Sequence, residues 1–339
     1  TLFPYTTLFR SRLALPDGAS VVFLLDPARI PALYPDANRN GDFADDPKYD
    51  GKVLPKAKTM LGTDGGDAVL FGPVALPLGA AGASPEIKVF IEVYNKDVIK
   101  VYPAGVTAGE VSFGAKKCAV AVVDGKLNGR YDESYPGANG YDLIAIDTDG
   151  DGKFASPAEI APLTDIVGVG GEYYKITVAA DGSSLTTEQV KPEIGTLKIE
   201  ADGVQLDLVS RNGFYVVSGP ARTWDLPAGQ YLVTSFGLAG SDGSVKWNVT
   251  GVQGQGSPSV LDLKDGETTT VNLGAPLTAK VSTSTAQGSV AIQLADLVGR
   301  GGEHYSTVAK RNGARAAAPS LKIIDESGKT LKSGAFAYG

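Results

Sequence analysis

Three short segments set oxygen-bearing side chains at alternate positions and then place a glycine: Asp36-Ala-Asn38-Arg-Asn40-Gly41-Asp42-Phe43, Asp124-Gly-Lys126-Leu-Asn128-Gly129-Arg130-Tyr131 and Asp147-Thr-Asp149-Gly-Asp151-Gly152-Lys153-Phe154. Calcium is a hard cation that takes six to eight oxygen ligands. A loop with side-chain oxygens at positions 1, 3 and 5, a glycine at 6 for the sharp turn and a backbone carbonyl at 7 wraps most of that shell. The third segment offers Asp147, Asp149 and Asp151, with the carbonyl of Lys153 at position 7. The first offers Asp36, Asn38 and Asn40, with the carbonyl of Asp42. The middle segment has Lys126 at position 3, a cation where a ligand belongs, and reads as a degenerate copy or a plain hairpin. The aromatic residue at position 8 is expected to carry each loop's exit into the core. The reading without metal is also physical, since Asx-turns alone account for Asn-Gly and Asp-Gly loops.

These loops resemble the D-x-D-x-D-G loops of dockerins, thrombospondin type 3 repeats and EF-hands. An EF-hand closes its site with a bidentate glutamate at position 12, and here that position is Ala158 or Pro47. Glu159 comes one residue late, and Asp45 and Asp46 come two and one early, so Glu159 and Asp46 are the candidate closing ligands. Glu159 has a competing job as the reciprocal partner of Ser156 in the capping box Ser156-Pro157-Ala158-Glu159. In order and spacing, LYPDANRNGDFADDP, VVDGKLNGRYDE and LIAIDTDGDGKF followed by GGEYYKITVAADGSSLT are similar to a group of uncharacterised exported proteins of environmental bacteria. That resemblance covers residues about 20–190. It implies export and a β fold, and carries no activity with it.

Other chemistries have less to build on. The single histidine, His304 in GRGGEHYST, rules out a zinc site of two or more histidines. No G-x-S-x-G elbow accompanies it for a hydrolytic triad. The glycine-rich GVGGEY and GRGGEH do not open a helix after a strand, so they are not phosphate cradles. A net charge of −7, with basic residues scattered singly or in pairs such as Lys116–Lys117 and Lys310–Arg311, leaves no stripe to track nucleic acid. No apolar run approaches the roughly 18 residues of a transmembrane segment, and mean hydropathy is −0.01. Cys118 in KKCAVAVV reads as a buried strand thiol. With 38 acidic residues available, a carboxylate-dependent envelope hydrolase stays open, since glycoside hydrolysis needs only two. Trp224, Trp247 and the tyrosines could stack sugars or fill a core.

The elements that must position the loops are strands. Between 43 glycines and 20 prolines lie short runs with a two-residue apolar period: EIKVFIEVY, KCAVAVV, TLKIEA, VQLDLV, QYLVTSF and SLKIID. Asp202-Gly203, Asn212-Gly213, Asp242-Gly243, Asp265-Gly266 and Ser327-Gly328 are expected at hairpin tips. The only local helix signal is the capping box, which Pro162 limits to about one turn. The fold class is therefore mainly β: tandem β-sandwich or β-barrel-like domains with acidic Asp/Asn-Gly loops and little helix. Turn formers at Pro103-Ala104-Gly105, Lys191-Pro192 and Gly274-Ala275-Pro276 divide the chain into 12–103 and 104–192, which share a core or have one each, 193–275, and an incomplete C-terminal domain, 276–339.

The stretch TWDLPAGQYLVTSF, followed by GETTTVNLG, weakly resembles prealbumin-like or carboxypeptidase-regulatory-like β-sandwiches over residues about 193–275, which implies an extracellular spacer or binding module. The opening string TLFPYTTLFRS is identical to the conceptual translation of a common short-read sequencing adapter, so residues 1–11 are expected to be foreign to the fold. The lone methionine, Met60, and the ending GAFAYG are read as marks of a fragment of a longer chain. Loops of modest charge suit millimolar extracellular calcium. Together these readings predict an exported structural or interaction protein that binds Ca2+, located outside the cell, in the periplasm or at the cell surface. The alternatives are a carbohydrate- or protein-binding module of the cell envelope, with an extracellular glycan or protein as partner, and the hydrolase.

Overall fold

The computed structural model describes residues 9–15, 20–26, 31–54, 68–78, 86–94, 98–137, 140–155, 159–219, 222–254, 256, 259–287 and 289–336. Every regular element among them is a strand, and the fold is mainly β. Strand Glu86–Tyr94 shows why. Ile87, Val89, Ile91 and Val93 alternate onto one buried face, while Glu86 and Lys88 face water. That two-residue period buries one face of a sheet and leaves a helix no continuous stripe. Among the described residues no helix is long and apolar enough to cross a membrane, a statement that leaves β-barrels aside.

The chain divides into two compact units, Thr1–Val190 and Lys191–Gly339. The first contains two cores. Its N-terminal core gathers Val21, Phe23, Leu33, Phe71, Val74 and Ile91 between a sheet that includes Ser20–Asp26 and Ala32–Pro35 and a sheet that includes Ala68–Pro77 and Glu86–Tyr94. The other gathers Phe113, Cys118, Val120, Ile144, Tyr174 and Ile176 between the sheet Ile160–Pro162, Leu143–Ile146, Lys116–Val123, Val106–Phe113 and the sheet Ile166–Val169, Glu172–Val178, Leu185–Val190. Burying each large apolar side chain contributes roughly 1.5–3 kcal/mol against leaving it in water. Segments 12–103 and 104–190 thus each have a core, and Leu127 of the second acidic loop packs against the N-terminal one.

Together with a small sheet of Thr278–Ala286, Ser289–Val298 and His304–Tyr305 and the hairpin Ser320–Ile324, Thr330–Ala335, the second unit contains a two-layer sandwich. Ile194–Ile199, Thr223–Pro227 and Thr268–Val271 form one sheet, and the other is built on Val204–Ser210 and Gly229–Asp242. Leu197, Leu206, Tyr231 and Phe236 fill the space between them. Tyr305 lies in the same core, and Lys310–Arg311 extends the larger sheet by pairing with Trp247 and Asn248. The expected boundary at 275/276 is therefore crossed: 276–339 supplies part of the sandwich begun by 193–275.

Three further expectations meet a different outcome. Phe9, Arg10 and Ser11 pair with Leu25, Leu24 and Phe23 in an antiparallel ladder, so the end of the adapter-like segment takes part in a strand. Ser156, Pro157 and Ala158 of the capping box lie outside the described residues, but Ile160–Pro162 is a strand paired with Leu143–Ala145, not the remainder of a helical turn. Pro162 is tolerated there because this strand lies at the sheet edge, where no ladder N–H is required of it. Asp202-Gly203 and Asp265-Gly266 connect strands of different sheets and are not hairpin tips. Their glycines still have positive φ, so the sequence marks a reversal without naming its destination.

Candidate metal centre

Each acidic loop begins where a strand stops. Asp36 follows Ala32–Pro35, Asp124 follows Lys116–Val123 and Asp147 follows Leu143–Ile146. Backbone hydrogen bonds hold these starting points: the Asp36 N–H donates to Val22 O (2.8 Å), that of Asp147 to Ala119 O (2.9 Å) and that of Asp124 to Gly105 O (3.3 Å). All three first-position aspartates are buried, at 6, 3 and 6 % exposure for Asp36, Asp124 and Asp147.

From there the three loops follow one backbone path. The position-6 N–H donates to the first-position carboxylate in each: Gly41 to Asp36 (3.2 Å), Gly129 to Asp124 (2.8 Å) and Gly152 to Asp147 (3.0 Å). Position 4 is left-handed in all of them, with φ of 60° at Arg39, 57° at Leu127 and 80° at Gly150, and position 6 repeats this at 80°, 77° and 76°. The position-7 N–H donates to the side chain at position 5, as in Asp42 to Asn40 (2.7 Å), Arg130 to Asn128 (3.0 Å) and Lys153 to Asp151 (2.8 Å). Two non-glycine residues in the left-handed region, at roughly 1–2 kcal/mol each, show how strongly the anchored carboxylate dictates the turn.

A second carboxylate reaches each loop from further along the chain and accepts the position-2 N–H. Ala37 donates to Asp46 Oδ1 (3.0 Å), Gly125 to Asp142 Oδ1 (3.0 Å) and Thr148 to Glu159 Oε1 (2.7 Å). Glu159 also accepts from the Thr148 hydroxyl, Asp149 N and Ala155 N (3.0, 3.3 and 2.9 Å). These donors, Ala155 and Thr148 foremost, hold its carboxyl below the ordinary range. Glu159 thus braces the loop's backbone, whereas the cap role expected of it concerned residues outside the description. Asp46 has one buried oxygen, Oδ2, with no hydrogen-bond partner, and burial raises its carboxyl, with the charges of Asp36 and Asp45 adding to the effect.

The loops differ in what their side chains do inside this frame. In the third, carboxylate oxygens of Asp147, Asp149 and Asp151 all lie within 4.8 Å of one another. Asp149 and Asp151 are exposed, each with one oxygen accepting a loop N–H, and Lys153 Nζ stands 4.0 Å from Asp151 Oδ2. Lys116 donates its ammonium to the Thr148 carbonyl. In the first loop, Asn38 and Asn40 both turn their amide NH2 groups to Asp45 Oδ2 (3.0 and 2.9 Å), while Asp42 Oδ1 accepts from Ala44 N (3.0 Å). Its side chains are therefore organised about a position-10 carboxylate. In the middle loop the position-10 carboxylate is Glu133, which takes Lys126 Nζ at 2.6 Å and Asn128 Nδ2 at 2.7 Å. Asp142 is fully buried there and is pushed up to about 6, by burial first and then by the charges of Glu133 and Asp124.

Sequence reasoning missed Asp142 and Glu133. A position-10 carboxylate is visible in both DANRNGDFAD and DGKLNGRYDE, whereas Asp142 arrives only through strand pairing. The position-8 aromatics do not behave alike. Tyr131 packs against the second core of the first unit, Phe43 lies under the Arg10 guanidinium at 5.7 Å, and Phe154 is 37 % exposed.

Elsewhere, His304 Nδ1 stands 3.1 Å from Asp296 Oδ1. The neighbouring Glu303 is buried and accepts from Gly274 N, Gly301 N and the Tyr305 hydroxyl at 2.6, 3.0 and 2.8 Å, the bonding of a structural carboxylate. Trp224 packs on the sandwich core from one sheet and Trp247 belongs to the other, so the two do not form one stacking face. Three carboxylates converging at the mouth of a hydrogen-bonded turn can serve as oxygen ligands for a hard divalent cation. Comparison of the chain with protein-family models, curated proteins and solved structures gives no match.

Proposed function

We propose that this chain is an exported structural or interaction protein of the cell envelope or exterior whose β domains are stiffened by calcium, with the loop Asp147–Lys153 as the principal site and the loop Asp36–Asp42 as a weaker one. The observation that carries this reading is the convergence of Asp147, Asp149 and Asp151 within 4.8 Å. Three negative charges so close repel without a cation and become ligands with one. Asp147, Asp149 and Asp151 would supply side-chain oxygens, with Lys153 contributing its carbonyl, and Glu159 would hold the backbone from below. The first loop ranks lower because Asn38 and Asn40 are engaged with Asp45. An extracellular glycan or protein would be the partner of such a scaffold.

For a dissociation constant of ~10 μM, ~1 mM calcium would stabilise the folded state by about 2.7 kcal/mol. The expected result is a thermal midpoint several degrees higher in calcium than in EGTA, lost in Asp149→Ala. Identical melting in both media, together with no heat of binding by calorimetry, would overturn the proposal.

A further inference from the structure

The middle loop shares the backbone path of the third, with the same left-handed positions 4 and 6 and the same anchoring and bracing carboxylates, yet it has Lys126 at position 3. Relative to Asp149 at the equivalent place, a lysine changes the loop's charge by two units, which is the charge a bound calcium would bring. The lysine is not waving in solvent. Its side chain and that of Glu133 are only 20 % and 21 % exposed, their charged atoms are 2.6 Å apart, and a Cβ added to Gly140 would come within 3.5 Å of Lys126 Cγ. By contrast, the lysine of the third loop, Lys153, is 81 % exposed and 4.0 Å from its nearest carboxylate oxygen. An ammonium enclosed beside Glu133 supplies the positive charge that this carboxylate requires when it is largely removed from water.

We propose that the Lys126 ammonium is the resident cation of the middle loop: it fills by covalent tether the role that calcium fills in the third, so that residues 124–131 keep their conformation without metal and become a metal site when the ammonium is removed. The proposal rests on the calcium reading of the third loop for its analogy, and its test is independent of that loop. In the full chain carrying Asp149→Ala, bound terbium per molecule is counted by equilibrium dialysis for Lys126, Lys126→Asn, Lys126→Ala and Lys126→Arg. Lys126→Asn restores at position 3 the residue type that the first loop has at Asn38. The expected result is one additional terbium in the asparagine and alanine variants and none in the arginine variant, with the alanine variant melting a few degrees lower in EGTA and recovering in millimolar calcium. If the folded asparagine and alanine variants take up no additional ion, or if the arginine variant gains one as well, the ammonium is not standing in for a metal. Because the ions are counted as differences in one background, a third loop that fails to bind calcium would show separately, as equal binding with and without Asp149→Ala.

Discussion

The strongest local demand in this molecule comes from carboxylates buried beside backbone N–H donors. Asp142 is the extreme case, fully buried, hydrogen-bonded by Gly125 N and Glu133 N, and pushed up to about 6 by burial with Glu133 and Asp124 nearby. A carboxyl whose pKa is higher folded than unfolded binds its proton more tightly in the folded state. Its contribution to stability is therefore greatest at low pH and is lost as pH rises from about 4 to about 6, by on the order of 3 kcal/mol. Glu159 has the opposite sign: its lowered pKa gives stability above the ordinary carboxylate range, lost as pH falls below it. Urea unfolding in EGTA at pH 4.5 and pH 7 separates the two. Asp142→Asn should flatten the fall between those values relative to the parent chain, and parallel pH profiles for the two proteins would remove the burial argument.

At the scale of elements, the strand Lys116–Val123 positions two loops and contains Cys118, which is buried among Phe113, Ile144 and Ile176, with burial raising its thiol. Alkylation of the folded protein is expected to be slow and to accelerate at least a hundredfold in denaturant, on the order set by local opening energies. Rapid labelling of the native chain would mean that this sheet opens readily. The strand itself was legible in KCAVAVV, because a two-residue apolar period has one interpretation when charged residues flank it. The loops were legible in the spacing of Asp, Asn and Gly. The bracing carboxylates were harder to see. Asp46 and Glu159 stand ten and twelve residues after their loops begin, and Asp142 stands eighteen after Asp124, brought close by the pairing of Val123 with Leu143. Spacing within a loop encodes its turn, whereas a ligand or brace delivered by strand register depends on contacts that no local pattern contains. The same limit explains Asp202-Gly203, where the reversal is written in the residues but the sheet that receives the next strand is not.

On the scale of the whole molecule, all three acidic loops belong to the unit Thr1–Val190, and the sandwich of Lys191–Gly339 is held by a core of Leu197, Leu206, Tyr231, Phe236 and Tyr305. Calcium dependence should therefore divide with the chain. Expressed separately, residues 1–190 should melt several degrees higher in calcium than in EGTA, and residues 191–339 should melt alike in both, as followed by circular dichroism. A calcium response confined to the second fragment would relocate the site.

The pair Lys116–Val123 and Leu143–Ile146 has one further property. Val123 faces Leu143 at one end, where Asp124 and Asp142 meet in the lysine-bearing loop, and Val120 faces Ile146 at the other, where Asp147 opens the third loop. Under the proposed roles, these two central strands of a four-stranded sheet end in a metal-independent loop on one side and a calcium-bound loop on the other. Withdrawal of calcium would then loosen the sheet first at its Ile146 end, so that the local stability of that end would follow the ion content of the surrounding fluid.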